Sequence, residues 1–146
     1  MTRKSLIVCL LLFPIVLHFD TKIWHLPDMK QFNCLVKNIY YEARGEPKQG
    51  QVAVGLVTLN RTQQPGFSKT ICGVVHQPGQ FSWTENDLSA KINRWEWGQS
   101  RDAAYRAITG NHNLGSFPAI YFHNTDTKPN WDKTPVKTIG NHIFYE

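Results

Sequence analysis

Two helical patterns, separated by Gly45, Glu46 and Pro47, constrain the fold of this chain more than any other feature. From Phe32 onward, apolar residues return at three- and four-residue spacing, which predicts an amphipathic helix ending near Gly45. Pro47 is a favoured first-turn residue, and a second apolar pattern runs from it to about Arg61. The domain therefore begins with two helices joined by a short turn.

The last third of the chain has a different character. A further helix is expected from about Gln99 to a stop at Gly110. Residues 119–124 and 137–146 are short, aromatic and β-branched, which predicts two antiparallel strands. A chain of 146 residues has room for one core, so we expect a single α+β domain with helices first and a small sheet last.

The N-terminal residues read as an export leader rather than as part of the domain. Two cations, in "MTRK", precede the uncharged apolar run Leu6–Leu17, which is shorter than the ~20 residues of a membrane-spanning helix. No small-residue cleavage site follows, so residues 1–19 are either a signal peptide or an uncleaved signal anchor. A buried N-terminal helix is the alternative. Residues 20–31 are expected to be a linker, and the domain to span residues 32–146.

The charge of the chain is moderately basic. The formal net charge is +5 and the pI about 9.2. Beyond the leader, 14 of the 16 Lys and Arg and all 11 acidic residues remain, which leaves about +3. This is compatible with an anionic polymer as partner. Because there is no lysine-rich stripe, a nucleic acid is not expected as the partner.

The cysteines predict one disulfide. Cys9 lies in the leader, which leaves Cys34 and Cys72 as a pair in a chain that carries an export signal. Their bond would close a loop of roughly 40 residues and stabilise the fold by about 3 to 4 kcal/mol. Two unpaired buried thiols are the alternative.

Glu42 is the acidic residue in an unexpected position. It comes seven residues after Leu35, so it falls about 20° from Leu35 on a helical wheel, inside the apolar stripe. A carboxylate there must pair with a cation such as Arg44 or Arg61, stay protonated, or line a cleft. A carboxyl in a partly apolar cleft has a raised pKa and can donate a proton to a leaving oxygen, as cleavage of a glycosidic bond requires.

Glu46 has a more ordinary interpretation. It follows the helix break at Gly45 and precedes Pro47, where an acid is favoured by the dipole of the next helix. We therefore interpret Glu46 as an N-terminal helix acid rather than as a catalyst.

Four stretches together resemble a known family. They are "NIYYEARGEPKQGQVAVGLVTLNR", "ICGVVHQPGQFSW", "AIYFHNTDTKPNW" and "KTIGNHIFY". In this order and spacing they resemble the cell wall hydrolase family of the spore cortex-lytic enzymes, including its short phage and proteobacterial members. The resemblance covers the chain from about Cys34 to the C-terminus.

The resemblance implies a fold, a reaction and a catalytic residue. The fold would be lysozyme-like or lytic transglycosylase-like, and the bond cut would be the MurNAc–GlcNAc β-1,4 linkage of peptidoglycan. The first glutamate of E-A-R-G-E, here Glu42, would be the single acid/base, and the sugar's own 6-hydroxyl would close to give a 1,6-anhydro product. Neither a second carboxylate nor a cofactor would be needed.

Further residues are candidates for binding the glycan. Aromatic side chains offer stacking faces for sugar rings, and amides offer hydrogen bonds. The candidates are Phe81, Trp83, Tyr121 and Phe122 for stacking, Gln80 and Asn124 for hydrogen bonds, and Tyr41 for orienting the substrate. Core packing is the alternative for Phe81, Phe122 and Tyr41. His76, His123 and His142 lack metal-ligand spacing, so no metal site is expected.

These readings give one leading functional hypothesis and several alternatives. The leading hypothesis is an exported, monomeric glycosidase that acts on peptidoglycan glycan strands from the periplasm, with a phage endolysin as one setting for it. If the leader is uncleaved, the inner membrane holds it facing the wall. The alternatives are a hydrolytic muramidase, an amidase that cuts the peptide stem, and a non-catalytic wall-binding module of the same fold.

Overall fold

A computed structural model describes residues 28–85 and 91–146 of the chain. Within these ranges the backbone forms four α-helices, one short 3-10 helix and three strands. Their bounds are α1 Met29–Ala43, α2 Lys48–Arg61, α3 Ile71–Val75, the 3-10 helix Ser82–Glu85, α4 Arg94–Thr109, β1 Tyr121–Asn124, β2 Pro135–Ile139 and β3 His142–Tyr145. The leader, residues 1–19, lies outside the described residues.

Helix α1 begins three residues earlier than the sequence pattern indicates. The Asp28 side chain caps it by accepting a hydrogen bond from the backbone N–H of Gln31 at 2.8 Å. Residues 29–31, which we assigned to the linker, are therefore helical. The helix ends at Ala43, and Gly45 follows with φ +84°, a conformation that glycine adopts without strain. The predicted break at Gly45 is confirmed.

Helix α2 is the central helix of the domain. It begins at Lys48, directly after Pro47, and ends at Arg61 as predicted. Its residues are buried almost throughout, because α1 and α4 both pack against it. A Cβ atom at Gly55 would lie 3.0 Å from Ile39 of α1 and 3.1 Å from Ala107 of α4, so glycine permits the close approach of the three helices.

The predicted disulfide is present between α1 and α3. Cys34 and Cys72 are bonded, with 5.2 Å between their Cα atoms. The Gln31 side chain accepts a hydrogen bond from the backbone N–H of Cys72 at 2.9 Å. The short helix α3 is thereby fixed to the first half of α1.

Helix α4 begins at Arg94, five residues before the predicted start at Gln99. The Asn93 side chain caps it by accepting hydrogen bonds from the N–H groups of Trp95 and Glu96. Gly110 ends it with φ +72°, as predicted. The fully buried residues of α4 begin only at Ser100, so the apolar pattern alone places the start of the helix too late.

The C-terminal sheet has three strands in the described residues, not the predicted two. Residues 135–145 form a hairpin, β2 and β3, which begins two residues before the stretch predicted as one strand, and β3 is in the middle of the antiparallel order β1-β3-β2. The core-facing side of the sheet carries Phe122, His142 and Phe144, and Phe144 packs edge-to-face on Phe117. The other side carries Tyr121, His123 and Tyr145.

Two sets of polar contacts join the sheet to the helices. The Asn60 amide donates to the carbonyls of Phe117 and Ala119 at 2.7 and 2.9 Å, which holds the segment before β1 against the end of α2. The Glu46 carboxylate accepts hydrogen bonds from the backbone and side-chain N–H groups of Asn141 at 2.9 and 3.0 Å.

The second contact gives Glu46 a role that its position before α2 does not indicate. The N-cap residue of α2 is Pro47, with no side-chain cap hydrogen bond. The Glu46 carboxylate instead holds the turn of the β2–β3 hairpin, because its two oxygens match the two N–H groups that Asn141 presents.

No helix within residues 28–85 and 91–146 is long and apolar enough to cross a membrane.

Candidate active site

Glu42 lies near the C-terminal end of α1, and its side chain is half-buried. In the described part of the chain, its carboxyl group makes no hydrogen bond and no ion pair. Burial raises its pKa from 4.5 to about 7, and the positive charge of Arg61 opposes this rise. The sequence left three options for the Glu42 carboxyl: an ion pair, a protonated state or a place in a cleft. The first of these, an ion pair with Arg44 or Arg61, is not formed.

Arg61, the last residue of α2, is the cation whose charge acts on Glu42. Its side chain is only 5% exposed, and its Nε donates to the carbonyl of Ile120 at 2.7 Å. The guanidinium carbon lies 5.0 Å from the ring centre of Phe81 and 6.0 Å from that of Tyr121. Its Nη1 atom is buried without a hydrogen-bond partner among the described residues.

The pKa of Arg61, like that of Glu42, is shifted in one direction by burial and in the other by its neighbours. Burial lowers the pKa of Arg61 to about 10, while Tyr121 and Glu42 act in the opposite direction. The guanidinium thus stays protonated at neutral pH. A carboxyl group that is half protonated near pH 7 beside a fixed cation can give up a proton and take it back, since the cation stabilises the carboxylate form.

Trp83 lies inside the domain and is held by a buried polar network. Its Nε1 donates to Asn38 at 2.9 Å, and the Asn38 amide donates to Thr58 at 3.0 Å. Tyr41 stacks on the Trp83 ring at 4.8 Å between centres. Since Trp83 is only 7% exposed, it supports Tyr41, and Tyr41 is the half-buried member of the pair next to Glu42.

Phe81 does not present a free stacking face. It is 3% exposed, and the guanidinium of Arg61 lies over its ring. The core-packing alternative applies to this residue. Gln80 next to it is half-buried, and its backbone N–H donates to the carbonyl of Gln77 at 3.2 Å.

The three candidates on β1 are separated by the alternation of the strand. Tyr121 lies on the outer side, 6.0 Å from the Arg61 guanidinium. Phe122 points the other way and packs on the rings of His142 and Phe144. Asn124 is exposed at the end of the strand. Tyr121 is therefore the strand residue brought next to the pair of Glu42 and Arg61.

Sequence reasoning missed several residues near this site. Arg61 was considered only as an ion-pair partner, and His123, Trp131, Lys133 and Tyr145 were not considered as binding residues. The Lys133 ammonium lies 3.6 Å from the Tyr121 ring centre, and the Trp131 ring contacts the Tyr121 ring at 5.9 Å. His123 and Tyr145 contact the Trp131 ring and each other. The alternation of Tyr121 with His123 was a usable signal, because alternate strand residues share a face.

Within the described ranges, no group of three or more His, Cys, Asp or Glu side chains is arranged to hold a metal ion. His76 is exposed beside Trp83, His123 is hydrogen-bonded to Tyr145, and His142 is buried under the sheet.

A protein-family comparison now decides the relationship of the chain. The model of the family described as Cell Wall Hydrolase matches residues 45–145. The chain belongs to the cell wall hydrolase family. The match begins three residues after Glu42, so it takes in Arg61 and the sheet but not the candidate acid.

Curated members of the cell wall hydrolase family show the same relationship over a longer stretch. The chain is 36% identical over 116 residues to the spore cortex-lytic enzyme of Bacillus subtilis, covering 77% of this chain and 36% of that protein. It is 38% identical over 117 residues to that of Oceanobacillus iheyensis, covering 73% and 38% respectively. The chain spans little more than a third of the length of these relatives.

Solved structures confirm the fold of this cell wall hydrolase domain. The catalytic domain of the germination-specific lytic transglycosylase SleB from Bacillus anthracis matches with a TM-score of 0.68 and 31% identity, covering 84% of this chain and 98% of that one. The SleB catalytic domain of Bacillus cereus matches with a TM-score of 0.64 and 34% identity, covering 80% and 91%. The predicted lysozyme-like α+β fold is therefore confirmed.

Proposed function

We propose that this chain is a peptidoglycan-degrading glycosidase that cleaves the MurNAc–GlcNAc β-1,4 bond as a lytic transglycosylase, with Glu42 as its acid/base. The observation that carries the proposal is the Glu42 carboxyl, half-buried, free of ion pairs in the described residues, and with a pKa of about 7. Its relatives are spore cortex-lytic enzymes, and one neighbour in structure is a lytic transglycosylase.

The proposed reaction balances with one carboxyl group. Glu42 donates its proton to the glycosidic oxygen, and the bond between that oxygen and the anomeric carbon breaks. The Glu42 carboxylate then takes the proton of the 6-hydroxyl of the same sugar, whose oxygen bonds to the anomeric carbon. The product is a 1,6-anhydro sugar, and Glu42 is protonated again.

Arg61 would stabilise the state in which Glu42 has lost its proton. The guanidinium is fixed by its bond to Ile120 and by the aromatic rings around it, so it need not move when the carboxylate forms. Arg61 would act through Glu42 and is a positioning residue in this scheme.

Three of the other acidic side chains in the described residues are engaged in structural contacts, which supports a mechanism with a single carboxyl. Glu46 is bonded to Asn141, Asp102 pairs with Lys48 and Arg106, and Asp28 caps α1. A glycosidase that adds water ordinarily uses two carboxyl groups about 5 to 9.5 Å apart. Asp87 lies outside the described residues.

Digestion of purified sacculi tests the proposal. The wild type should release muropeptides with 1,6-anhydro ends, and Glu42→Gln should lose at least ~10²-fold in rate because the amide cannot donate the proton. Glu85→Gln, a change at an exposed acid, should keep full activity. Mass spectrometry that finds only reducing sugar ends would indicate a hydrolytic muramidase instead.

Two further results would overturn the proposal in other directions. Free stem peptides with intact glycan strands would indicate an amidase. Binding to sacculi with no product from the wild type would indicate a non-catalytic wall-binding module.

We also propose that the protein is a monomer that works outside the cytoplasm. In this proposal it is a phage endolysin that its leader holds at the inner membrane. The charge pattern of residues 1–19 supports export, and so does the Cys34–Cys72 disulfide, since such bonds persist in oxidising compartments. A fusion of residues 1–31 to a reporter that is active only outside the cytoplasm would be active, and an inactive fusion would refute export.

A further inference from the structure

The outer side of the sheet is covered by aromatic rings. We call Tyr121, His123, Trp131 and Tyr145 the outer aromatic face. The solvent side of an antiparallel sheet is ordinarily polar, because its other side supplies the apolar contacts with the core. Here the core side is already aromatic, with Phe122 and Phe144, so the rings on the outer side are not needed for burial. Trp131 is exposed and the other three rings are half-buried, so the group reaches the surface, and grouped aromatic side chains at a surface mark binding sites.

The rings of this face are held in a fixed arrangement. His123 stacks on Tyr145 with 5.1 Å between centres and an interplanar angle of 25°. Trp131 lies 5.7, 5.8 and 5.9 Å from the rings of His123, Tyr145 and Tyr121. The Trp131 side is open to solvent, since this residue is 39% exposed.

Hydrogen bonds fix the orientation of His123 in the outer aromatic face. One ring nitrogen, Nδ1, lies 2.7 Å from the carbonyl oxygen of Asn124, which can only accept, so Nδ1 carries a proton. In the neutral ring, Nε2 then accepts from the Tyr145 hydroxyl at 2.8 Å. A surface held in this way loses little conformational freedom when a ligand binds.

A cation lies on the same surface. The Lys133 ammonium is 3.6 Å from the ring centre of Tyr121 and 5.7 Å from that of Trp131. Within residues 28–85 and 91–146, Lys133 makes no ion pair with an acidic side chain. An anionic group of a ligand above these rings would therefore meet an ammonium that is not paired with a carboxylate in this part of the chain.

The outer aromatic face continues from the candidate active site. Tyr121 belongs to both, because the Lys133 ammonium and the Arg61 guanidinium both lie over its ring, at 3.6 and 6.0 Å from its centre, and the Arg61 charge acts on Glu42. A polymer held with one unit at Glu42 would thus have its neighbouring units above these rings.

We propose that the outer aromatic face binds a pyranose ring of a glycan strand that carries peptide stems, and that Lys133 binds a free carboxylate of the stem. This inference rests on the proposed function and assigns a substrate preference to it: peptide-bearing strands over bare glycan. The sugar ring would stack on Trp131, and the anion would complement the ammonium.

Binding measurements with the full chain test the inference. The Glu42→Gln protein, which leaves the substrate intact, is sedimented with purified sacculi and with glycan strands stripped of their stems by an amidase. Adding Trp131→Ala should weaken binding to both substrates about fivefold or more, through loss of the stacking face. Adding Lys133→Met should weaken binding to sacculi by a similar factor and leave binding to stripped strands unchanged.

Trp95→Ala is the matched control, because Trp95 is 75% exposed on α4 and is not part of the face. It should bind both substrates like the parent, and circular dichroism should show that all variants are folded. Any of three results would overturn the inference. These are unchanged binding by Trp131→Ala, an equal loss of binding in the Trp95→Ala control, and a Lys133→Met effect that is absent or is equal on both substrates.

The wild-type digest separates this inference from the proposed function. If wild type releases no muropeptides while Trp131→Ala and Lys133→Met weaken binding as expected, the glycosidase proposal fails and the surface remains a wall-binding one. If wild type digests sacculi and the variants bind like the parent, the inference fails and the proposed function stands.

Discussion

At the scale of single residues, burial and the Arg61 charge shift the Glu42 pKa in opposite directions. Burial favours the neutral form of Glu42, while the Arg61 charge favours the carboxylate, and the pKa near 7 is the balance of the two. The value matters because an acid of this pKa is partly protonated near neutral pH and is still able to act as a base afterwards.

The pH dependence of activity follows from this balance. Proton donation needs protonated Glu42, so the rate should fall as pH rises through about 7. Because the Arg61 charge lowers the Glu42 pKa, Arg61→Met should raise that pKa and move the alkaline fall in kcat upward by about one pH unit. Muropeptide release between pH 5 and 9 measures it.

A matched variant keeps the charge at this position. Arg61→Lys should leave the alkaline limb near that of wild type even if the total rate drops, since the ammonium still acts on Glu42. An alkaline limb that is the same in wild type and in Arg61→Met would contradict the electrostatic role of Arg61.

The sequence was informative about Glu42 and less so about its surroundings. Helical periodicity alone places Glu42 among the apolar residues of α1, because the positions on a helix follow from its geometry. The use of Phe81 as the support of Arg61 depends on how a loop packs on the end of α2, and local sequence does not specify that contact.

At the scale of elements, Glu46 joins the α1–α2 turn to the β2–β3 hairpin. Glu46→Ala should lower the free energy of unfolding by about 1 kcal/mol, since two partly exposed hydrogen bonds to Asn141 are lost. Activity per folded molecule should persist, because this carboxylate is used as a hydrogen-bond acceptor. Urea unfolding and sacculus digestion measure the two effects.

The control for this prediction is Glu85→Ala, which removes an exposed acid whose side chain makes no hydrogen bond or ion pair within the described ranges. A loss of activity in Glu46→Ala comparable with that of Glu42→Gln, without a loss of stability, would make Glu46 a second catalytic residue.

The disulfide should be the strongest single constraint between elements. Cys34 and Cys72 are 38 residues apart in sequence and tie α3 to α1. In the chain-entropy model, the free energy of unfolding of a Cys34→Ser, Cys72→Ser double variant should be about 3 to 4 kcal/mol lower than that of wild type. Denaturant unfolding with and without a reductant measures this. A reductant should lower the stability of wild type and leave that of the double variant unchanged. Equal stability of wild type and the double variant without a reductant would refute the prediction.

Element boundaries show where sequence patterns stop being informative. Gly45 and Gly110 mark helix ends correctly because a left-handed residue there is a local requirement. The start of α4 depends on the Asn93 cap rather than on apolar residues, so periodicity misses it. Residues 137–146 read as one strand, since the turn at Gly140 lies inside a continuous β-forming stretch.

At the scale of the whole molecule, three titratable groups make stability depend on pH. Burial lowers the pKa of His142 below 6.5, and contacts with Lys48 and Arg106 lower that of Asp102 below 3.8. Both groups stabilise the fold at neutral pH, and their contributions are lost as pH falls through their folded-state values. Glu42 behaves oppositely, because its pKa is raised.

The contribution of Glu42 is fully present below pH 4.5 and is lost as pH rises through about 7, since the folded state holds its proton more tightly than the unfolded chain. Glu42→Gln cannot ionise, so it should be more stable than wild type at pH 8 by about 2 to 3 kcal/mol and nearly equal to it at pH 4.5. Urea unfolding at both pH values measures the difference, with Glu85→Gln as the control that should match wild type at each. A Glu42→Gln protein that gains nothing between pH 4.5 and pH 8 would mean that Glu42 is not held neutral by burial. A gain would mean that the proposed catalytic acid costs the fold stability at the pH where its proton is used.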